Sequence, residues 1–247
     1  MYINQYLDST YLKTALQANI SQQETERNVC SLIQEAIEYQ FVLVMIRPEF
    51  VRLAKQLITE KKSKVTIGTV IGFHEGTSPI SFKLVEAKKA INDGVDDLDF
   101  VINYEAFKNG EIELVKDEIL KGTEIGLHHH KIVKWIIEVA ALDDAQIVAI
   151  SQLIRDVVLA NFSIEQAKKV FVKSSTGFYK STNGKPAGAT FEAMKLIVAN
   201  SKPLSAKAAG GVKNYQDAVK MVKMGVTRIG TSSALKIFLG KGNDSDY

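Results

Sequence analysis

Short apolar runs alternate with longer amphipathic stretches along most of the chain. The stretches between the runs repeat apolar residues at three- and four-residue steps, which is typical of helices that bury one face. The first stretch, 21–40, opens with Ser21 and Glu24 at the spacing of a capping box. The apolar runs predict strands at 6–11, 41–46, 64–73, 97–103, 131–139, 170–176, 204–210 and 228–233.

Strands that alternate with helices predict parallel pairing with right-handed crossovers. At 247 residues, this pattern favours an α/β fold of the (β/α)8 TIM-barrel type, built as a single domain. An open doubly wound sheet is the alternative, but no Gly-x-Gly-x-x-Gly follows the first strand. No linker-like segment divides the chain, so we expect one barrel over 1–239 and a flexible C-terminal tail over 240–247.

Composition mainly excludes classes of function. The net charge is +3 with acidic and basic residues interspersed, which argues against nucleic-acid binding. No apolar run approaches the roughly 20 residues that span a bilayer, and the N-terminus shows no signal-peptide pattern. Because the chain has a single cysteine, Cys30, it cannot form an internal disulfide. We place Cys30 on the first predicted helix, with its side chain in the protein core. These observations predict a cytoplasmic protein without a membrane partner.

Polar side chains recur on one face of several predicted strands, where a barrel normally packs branched apolar residues. For any one residue, a solvated face or a paired ion is a sufficient explanation. Active sites of this fold lie at the carboxyl ends of the strands, however, and lysines from three strands could meet acids from two others there. The residues concerned are Asp8, Thr10, Asp97, Asp99, Asn103, Lys134, Glu138, Lys173, Ser175, Ser205 and Lys207.

Lys173 interrupts the apolar run of its strand, where a charged ammonium is costly to bury. Two neighbouring lysines disfavour each other's charge, and burial adds to this effect, so one of them has a lowered pKa. A lysine that is neutral near pH 7 attacks carbonyl groups and forms a Schiff base. This chemistry gives Lys173 a reason to point inward.

Glycine clusters follow the last two predicted strands. Gly210 and Gly211 come after the seventh strand, and Gly230 to Ser233 end the eighth. Glycines let backbone N–H groups approach an anion. In a (β/α)8 barrel, phosphate groups usually bind at the loops after strands seven and eight. We therefore favour phosphate binding over plain turns at these positions.

The run His128-His129-His130 suggests a metal site at first sight. Consecutive residues rarely converge on one ion, and the run precedes the fifth predicted strand. We interpret it as a solvated loop, and we expect no metal and no other cofactor.

Five segments match one known family in its own order and together cover most of the chain. They are FVKSSTGF (171–178), the stretch from AKAAGGV to RIGTSSA (206–234), VDDLDFVINYEAFKNGE (95–111), VKWIIEVAAL (133–142) and VIGFHEGTSPISFKLVEAKKAI (70–91). In these segments the chain resembles the deoxyribose-phosphate aldolases. The resemblance implies a class I aldolase on a (β/α)8 barrel that needs no metal.

The resemblance also implies a reaction and its substrate. The expected reaction is reversible cleavage of 2-deoxy-D-ribose 5-phosphate, a small phosphorylated sugar, to D-glyceraldehyde 3-phosphate and acetaldehyde, as part of deoxyribonucleoside catabolism. Carried over by position, Lys173 matches the Schiff-base lysine, Lys207 the lysine that lowers its pKa, and Asp99 the aspartate of the proton relay. A homodimer is expected by analogy with the family.

Further positions match residues that support the substrate. Lys134 matches an additional active-site lysine, while Asp8, Thr10 and Thr176 match residues beside the site. Tyr247 matches a terminal tyrosine that reaches the substrate in some members, and an unstructured tail is the equal alternative. The phosphate cradle is matched by Gly177, Gly210, Gly211, Gly230, Ser232 and Ser233.

The chain departs from the family pattern at several places, which affects the expected substrate and rate. Ser9 stands where histidine is usual, Met45 where cysteine is common, Val139-Ala140 where Thr-Gly is frequent, and His74 where proline follows phenylalanine. Three alternatives therefore stay open. They are a Schiff-base aldolase for another phosphorylated sugar or ketone, a barrel that binds a phosphorylated ligand without turnover, and an isomerase or synthase that uses carboxylate chemistry.

Overall fold

The computed structural model describes residues 1–181 and 187–240 and shows eight parallel strands closed into a barrel in chain order. The eighth strand pairs back with the first, which confirms the (β/α)8 prediction and excludes the open sheet. The strands are β1 Leu7–Tyr11, β2 Leu43–Ile46, β3 Thr66–Ile71, β4 Asp97–Val101, β5 Ile132–Ile136, β6 Val170–Lys173, β7 Ser205–Ala209 and β8 Arg228–Thr231.

The amphipathic stretches form helices, as predicted, and the capping box of Ser21 and Glu24 is present at the start of the second helix. None of the helices within the described ranges has the length and apolar character needed to cross a bilayer. The helices are α1 Ala15–Ala18, α2 Gln22–Tyr39, α3 Val51–Glu60, α4 Ile80–Asp93, α5 Tyr104–Lys108, α6 Ile112–His128, α7 Asp144–Asn161, α8 Ile164–Ala167, α9 Phe191–Ser201, α10 Tyr215–Lys223 and α11 Ala234–Phe238.

The main hydrophobic core lies between the barrel and the helices. Trp135 of β5 is fully buried, stacks on Phe100 of β4 at 5.0 Å between ring centroids, and donates its indole N–H to Thr123 of α6. A methyl group on Gly122 would come within 2.6 Å of the indole, so glycine allows α6 to approach the sheet. Trp135 thus packs beneath a helix, on the face of the strand opposite to Lys134.

Several strands are shorter than predicted, and this corrects the placement of three polar residues. Glu138 has φ 54°, a left-handed conformation that ends the extended backbone after β5, so it does not share a strand face with Lys134. Ser175 lies beyond β6. Asn103 lies beyond β4 and caps α5, where its side chain accepts from the N–H of Ala106.

Two smaller predictions also differ from the structure. His128 is the last residue of α6, because this helix continues up to the turn before β5. Cys30 lies on α2 as expected but is only partly buried, because it borders the exposed face of the helix. The boundary between barrel and tail stays a prediction, since residues 241–247 lie outside the described part of the chain.

Candidate active site

Asp99 lies at the centre of a buried cluster of charges inside the barrel. Its Oδ2 accepts hydrogen bonds from Lys173 Nζ at 2.8 Å and from Lys207 Nζ at 3.0 Å. Its Oδ1 accepts from Lys134 Nζ at 2.9 Å. The three lysines come from β5, β6 and β7, and strand pairing sets Lys134 beside Asp99 and Lys173 beside Lys207. The structure therefore brings together the predicted lysines and the central acid.

A second layer of ions lies deeper in the barrel. Asp8 forms ion pairs with Lys207 and with Arg228, each at 2.6 Å. Asp97 accepts from Lys134 at 2.6 Å and from Arg228 at 3.4 Å. The sequence assigned no role to Arg228, although it too is a charged residue within a buried strand.

The charges in this network do not balance when every group is ionised. Four basic groups, Lys134, Lys173, Lys207 and Arg228, face the three acids Asp8, Asp97 and Asp99, and all seven residues are buried. An excess positive charge in a low-dielectric interior is unfavourable unless one basic group loses its proton. A single unprotonated lysine makes the network neutral.

Lys173 is the group best placed to lose that proton. The pKa of Lys173 is lowered to about 8, mainly by burial and with a contribution from the charges of Lys207 and Lys134, against the opposing attraction of Asp99. Burial also disfavours the charge of Lys134, but Asp97 and Asp99 outweigh it and raise the pKa of Lys134. Burial opposes ionisation of Asp99, yet the lysines hold its pKa well below the usual range. A neutral amine is thus available beside protonated and ionised neighbours.

A cleft of about 1130 Å³ opens above Lys173 at the carboxyl ends of the strands. Asp8, Asp99, Lys134 and Lys207 lie beneath it rather than on its surface, so Lys173 is the member of the charge network that reaches the cleft. The other predicted site residues that line it are Thr10, Thr176, Gly177, Gly210, Gly211, Gly230 and Ser232.

The glycines of the predicted phosphate cradle have different structural reasons for being glycine. Gly177, Gly210 and Gly211 have φ between 81° and 87°, a conformation that favours glycine in the cleft wall. Gly230 instead makes room for a catalytic candidate, because a methyl group there would lie 3.1 Å from Lys207 Cε. This second role of Gly230 was not predicted from the sequence.

Within the described residues, Ser233 is the one member of the predicted phosphate cradle that does not line the cleft. The backbone N–H of Ser233 donates to Thr231 Oγ1 at 3.0 Å, and Thr231 Oγ1 in turn donates to the carbonyl of Val212 at 2.8 Å. These bonds connect the end of β8 and the residues after it to the loop that follows β7. Tyr247 lies outside the described residues, and its role stays a prediction.

Glu138 supports the cleft wall from behind, a role that the sequence did not indicate. It is fully buried two residues beyond the end of β5, and its Oε2 accepts the backbone N–H of Thr176 at 3.1 Å as well as the Thr176 hydroxyl. Burial raises the pKa of Glu138, while the bonds from Thr176 and the charge of Lys173 oppose that rise. Because Thr176 Oγ1 also accepts from the N–H of Phe178, Glu138 helps to hold the loop after β6.

Of the departures from the family pattern, His74 lines the cleft while the others do not, and none of them belongs to the charge network. Met45 is buried in a small apolar cluster with Leu12, Leu43 and Val70. His74 lines the cleft and stacks on Phe178 at 5.6 Å between ring centroids. Val139 and Ala140 form a 3-10 turn that follows Glu138. Ser9 is buried within β1.

In the described part of the chain, no group of three or more His, Cys, Asp or Glu side chains has an arrangement that could hold a metal ion. The chemistry that the described cluster can perform is that of an amine, with carboxylate and ammonium groups available for proton transfer.

Comparisons with known proteins agree with the geometry. A family model described as DeoC/LacD family aldolase matches residues 5–240. A deoxyribose-phosphate aldolase of Thermococcus gammatolerans is 36% identical over 244 residues, which cover 98% of each chain. A deoxyribose-phosphate aldolase of Streptococcus pneumoniae is 36% identical over 248 residues and 100% of both chains.

Solved structures give the same result. The deoxyribose phosphate aldolase of Aeropyrum pernix, described as a unique tetramer, superimposes with a TM-score of 0.74 at 29% identity and covers 96% of this chain and 89% of its own. A protein described as "QR15, an Aldolase" gives a TM-score of 0.75 at 31% identity, with 96% of this chain and 94% of its own covered.

Proposed function

The chain belongs to the DeoC/LacD family of aldolases, and we propose that it is a deoxyribose-phosphate aldolase in which Lys173 forms the Schiff base. The observation that carries the assignment of Lys173 is its position. It is the member of a buried charge network that reaches the cleft, and its pKa is lowered to about 8. A nucleophilic amine needs both access to a carbonyl carbon and an unprotonated state near neutral pH.

The proposed reaction begins at C1 of the open-chain sugar. The neutral amine of Lys173 adds to this aldehyde carbon, and loss of water gives an iminium ion. Asp99 and Lys207 lie within hydrogen-bond distance of each other and next to Lys173, so they are placed to receive and return the protons of this step. Lys134 holds the other oxygen of Asp99 and fixes its orientation.

The iminium ion then accepts the electrons of the bond that breaks. As the C3 hydroxyl loses its proton, the C2–C3 bond cleaves, C3 becomes the aldehyde of D-glyceraldehyde 3-phosphate, and C1 and C2 stay on Lys173 as an enamine. Protonation at C2 followed by hydrolysis releases acetaldehyde and regenerates the amine. The reverse sequence joins the two aldehydes.

The phosphate is proposed to bind at the glycine-rich rim of the cleft. Gly177, Gly210, Gly211 and Ser232 line this side of the cleft, and Lys180 and Lys213 add positive charge there. Backbone N–H groups in such loops bind anions, and contacts remote from the reacting carbon position the substrate. Thr10 and Thr176 are proposed to contact the sugar from the neighbouring walls.

The remaining features of the proposal concern the protein as a whole. We propose a homodimer that acts in the cytoplasm, as the sequence and the family resemblance suggest. Light scattering on the purified protein tests the oligomeric state, and the tetramer described for the Aeropyrum pernix relative is the main alternative.

Borohydride trapping tests the proposed function. The protein is incubated with 2-deoxyribose 5-phosphate, reduced, digested and analysed by mass spectrometry, and the adduct is expected on the peptide that contains Lys173. The Lys173→Arg variant keeps a positive charge but has no nucleophilic amine, so it should give neither adduct nor aldehyde products. Activity that is retained by this variant would support the isomerase or synthase alternative. An adduct that forms only with other phosphorylated ketones would assign a different substrate.

A further inference from the structure

Arg228 lies at the opposite end of the barrel from the cleft. It is the first residue of β8, whereas Lys173 is the last residue of β6, and only 9% of the Arg228 side chain is exposed. Its Nε is 2.6 Å from Asp8 Oδ1 and its Nη2 is 3.4 Å from Asp97 Oδ2. Arg228 therefore contacts the network without reaching the proposed site of reaction.

The two acids that Arg228 contacts are also partners of two lysines. Asp8 is 2.6 Å from Lys207 Nζ, and Asp97 is 2.6 Å from Lys134 Nζ. Without the guanidinium, three lysines and three aspartates would balance with every lysine protonated. With it, the buried network carries one excess positive charge, because a guanidinium does not lose its proton in proteins.

Among the three lysines, Lys173 has the fewest acidic partners. Lys134 contacts Asp97 and Asp99, and Lys207 contacts Asp8 and Asp99, whereas Lys173 contacts Asp99 alone. The excess charge is therefore relieved most easily by loss of the proton from Lys173, which also borders the cleft.

We propose that Arg228 is a positioning residue that acts through Asp8 and Asp97 and supplies the positive charge that keeps the Lys173 amine unprotonated. This inference rests on the proposed function of Lys173 as the nucleophile. If Arg228 is absent, Asp8 and Asp97 attract Lys207 and Lys134 more strongly. Asp99 is then left to stabilise the charged form of Lys173.

The other charged groups around these residues do not replace this effect. Lys173 faces Asp99 from β4, Lys134 from β5 and Lys207 from β7, with Glu138 beyond the end of β5. Glu138 is bonded to Thr176 and makes no ion pair with Lys173 among the contacts described. Arg228 faces Asp8, Asp97 and, at longer range, Asp99.

The test compares Arg228→Gln with Arg228→Lys in the full-length protein. Gln removes the charge but keeps donors for Asp8 and Asp97, while Lys keeps the charge. The measurement is the rate at which borohydride traps the imine with acetaldehyde across a pH series. Acetaldehyde has no phosphate and no bond to cleave, so this rate follows the unprotonated fraction of Lys173. Circular dichroism confirms that each variant is folded.

In Arg228→Gln, the rise of the trapping rate with pH should move to higher pH by about one unit, which lowers the rate near neutrality about tenfold. The wild-type rate should return at high pH, and Arg228→Lys should follow the wild-type profile. A merely structural role would lower the rate at every pH without moving the profile. An unmoved profile in Arg228→Gln, or an equal shift in Arg228→Lys, overturns the proposal.

Asp97→Asn provides a test of opposite sign that does not depend on the folding of the arginine variants. Removing this acid increases the excess positive charge, so the profile should move to lower pH, and a shift in the other direction contradicts the inference. Failure of the proposed function is recognised separately, because wild-type protein would then give no adduct at Lys173.

Discussion

Thr176 donates both its backbone N–H and its hydroxyl to one carboxylate oxygen of Glu138. The two residues are 38 positions apart in the sequence, and the contact joins the end of β5 to the loop after β6. Since Thr176 and Phe178 line the cleft, this contact fixes a wall of the proposed active site from a residue that lies behind it.

Glu138→Ala should weaken substrate binding more than it weakens imine formation. The change leaves the two donors of Thr176 unpaired in a buried position, which costs about 1–3 kcal/mol for each group. We expect KM for 2-deoxyribose 5-phosphate to rise about tenfold or more, while the trapping rate with acetaldehyde changes little. Steady-state kinetics and borohydride trapping measure the two effects.

Glu138→Gln is the matched control for this prediction, because its amide oxygen can accept both bonds from Thr176. It should recover most of the binding that the alanine variant loses. Equal losses in the two variants would show that the charge of Glu138, and not its contact with Thr176, is what matters.

The sequence predicted the barrel because its period of apolar runs and helical stretches is regular over the whole chain. It also predicted Lys173, Lys207 and Asp99, since charged residues are rare within buried strands. It did not predict the roles of Glu138 and Arg228. Those depend on a left-handed residue after β5 and on contacts across the barrel between β8, β1 and β4, which local patterns do not record.

The rate of imine formation should rise with pH through about pH 8 in the wild-type protein. Lys173 has a lowered pKa of about 8, so its reactive neutral form increases as pH rises through that value. At pH 7 about a tenth of the amine is unprotonated, whereas an ordinary lysine would be almost fully charged. The measurement is trapping with acetaldehyde in buffers of constant ionic strength.

Lys207→Met should move this pH profile upward, because it removes a positive charge next to Lys173. The comparison variant is Lys236→Met, on the short helix α11 and away from the cleft lining, which should leave the profile in place. A Lys207→Met profile that coincides with the wild type would contradict the electrostatic explanation of the lowered pKa.

Lys83→Met should strongly destabilise the fold. Lys83 Nζ is fully buried and donates to the carbonyls of Gly76 at 2.5 Å and Val101 at 2.7 Å as well as to the carboxylate of Glu118. Removing one partner of a buried ion pair leaves an uncompensated charge and costs about 3–5 kcal/mol. Denaturant unfolding measures the loss.

The double variant Lys83→Met with Glu118→Gln distinguishes the charge from the packing. The amide oxygen introduced at position 118 can still accept a hydrogen bond from the N–H of Asn103, as the Glu118 carboxylate does at 2.8 Å. No unpaired charge is then left in the interior. The double variant should therefore be more stable than Lys83→Met alone. If it is less stable, hydrogen bonding rather than the buried charge dominates at this position.

Gly230→Ala separates the two roles that Gly230 could have in the site. The added methyl group would lie 3.1 Å from Cε and 3.7 Å from Nζ of Lys207, so it should move this ammonium relative to Asp99 and Lys173. If that contact is the reason for glycine, trapping with acetaldehyde should slow about tenfold or more, since a displaced ammonium no longer suppresses the charge of Lys173. If Gly230 serves only the phosphate, acetaldehyde trapping should stay at the wild-type rate while KM for the phosphorylated sugar rises.

Gly211→Ala is the comparison, because its methyl group would meet nothing within 4 Å and its effect comes from the positive φ at the rim. We expect Gly211→Ala to change KM and leave acetaldehyde trapping unchanged, so the same pattern in Gly230→Ala would show that its position beside Lys207 has no catalytic consequence.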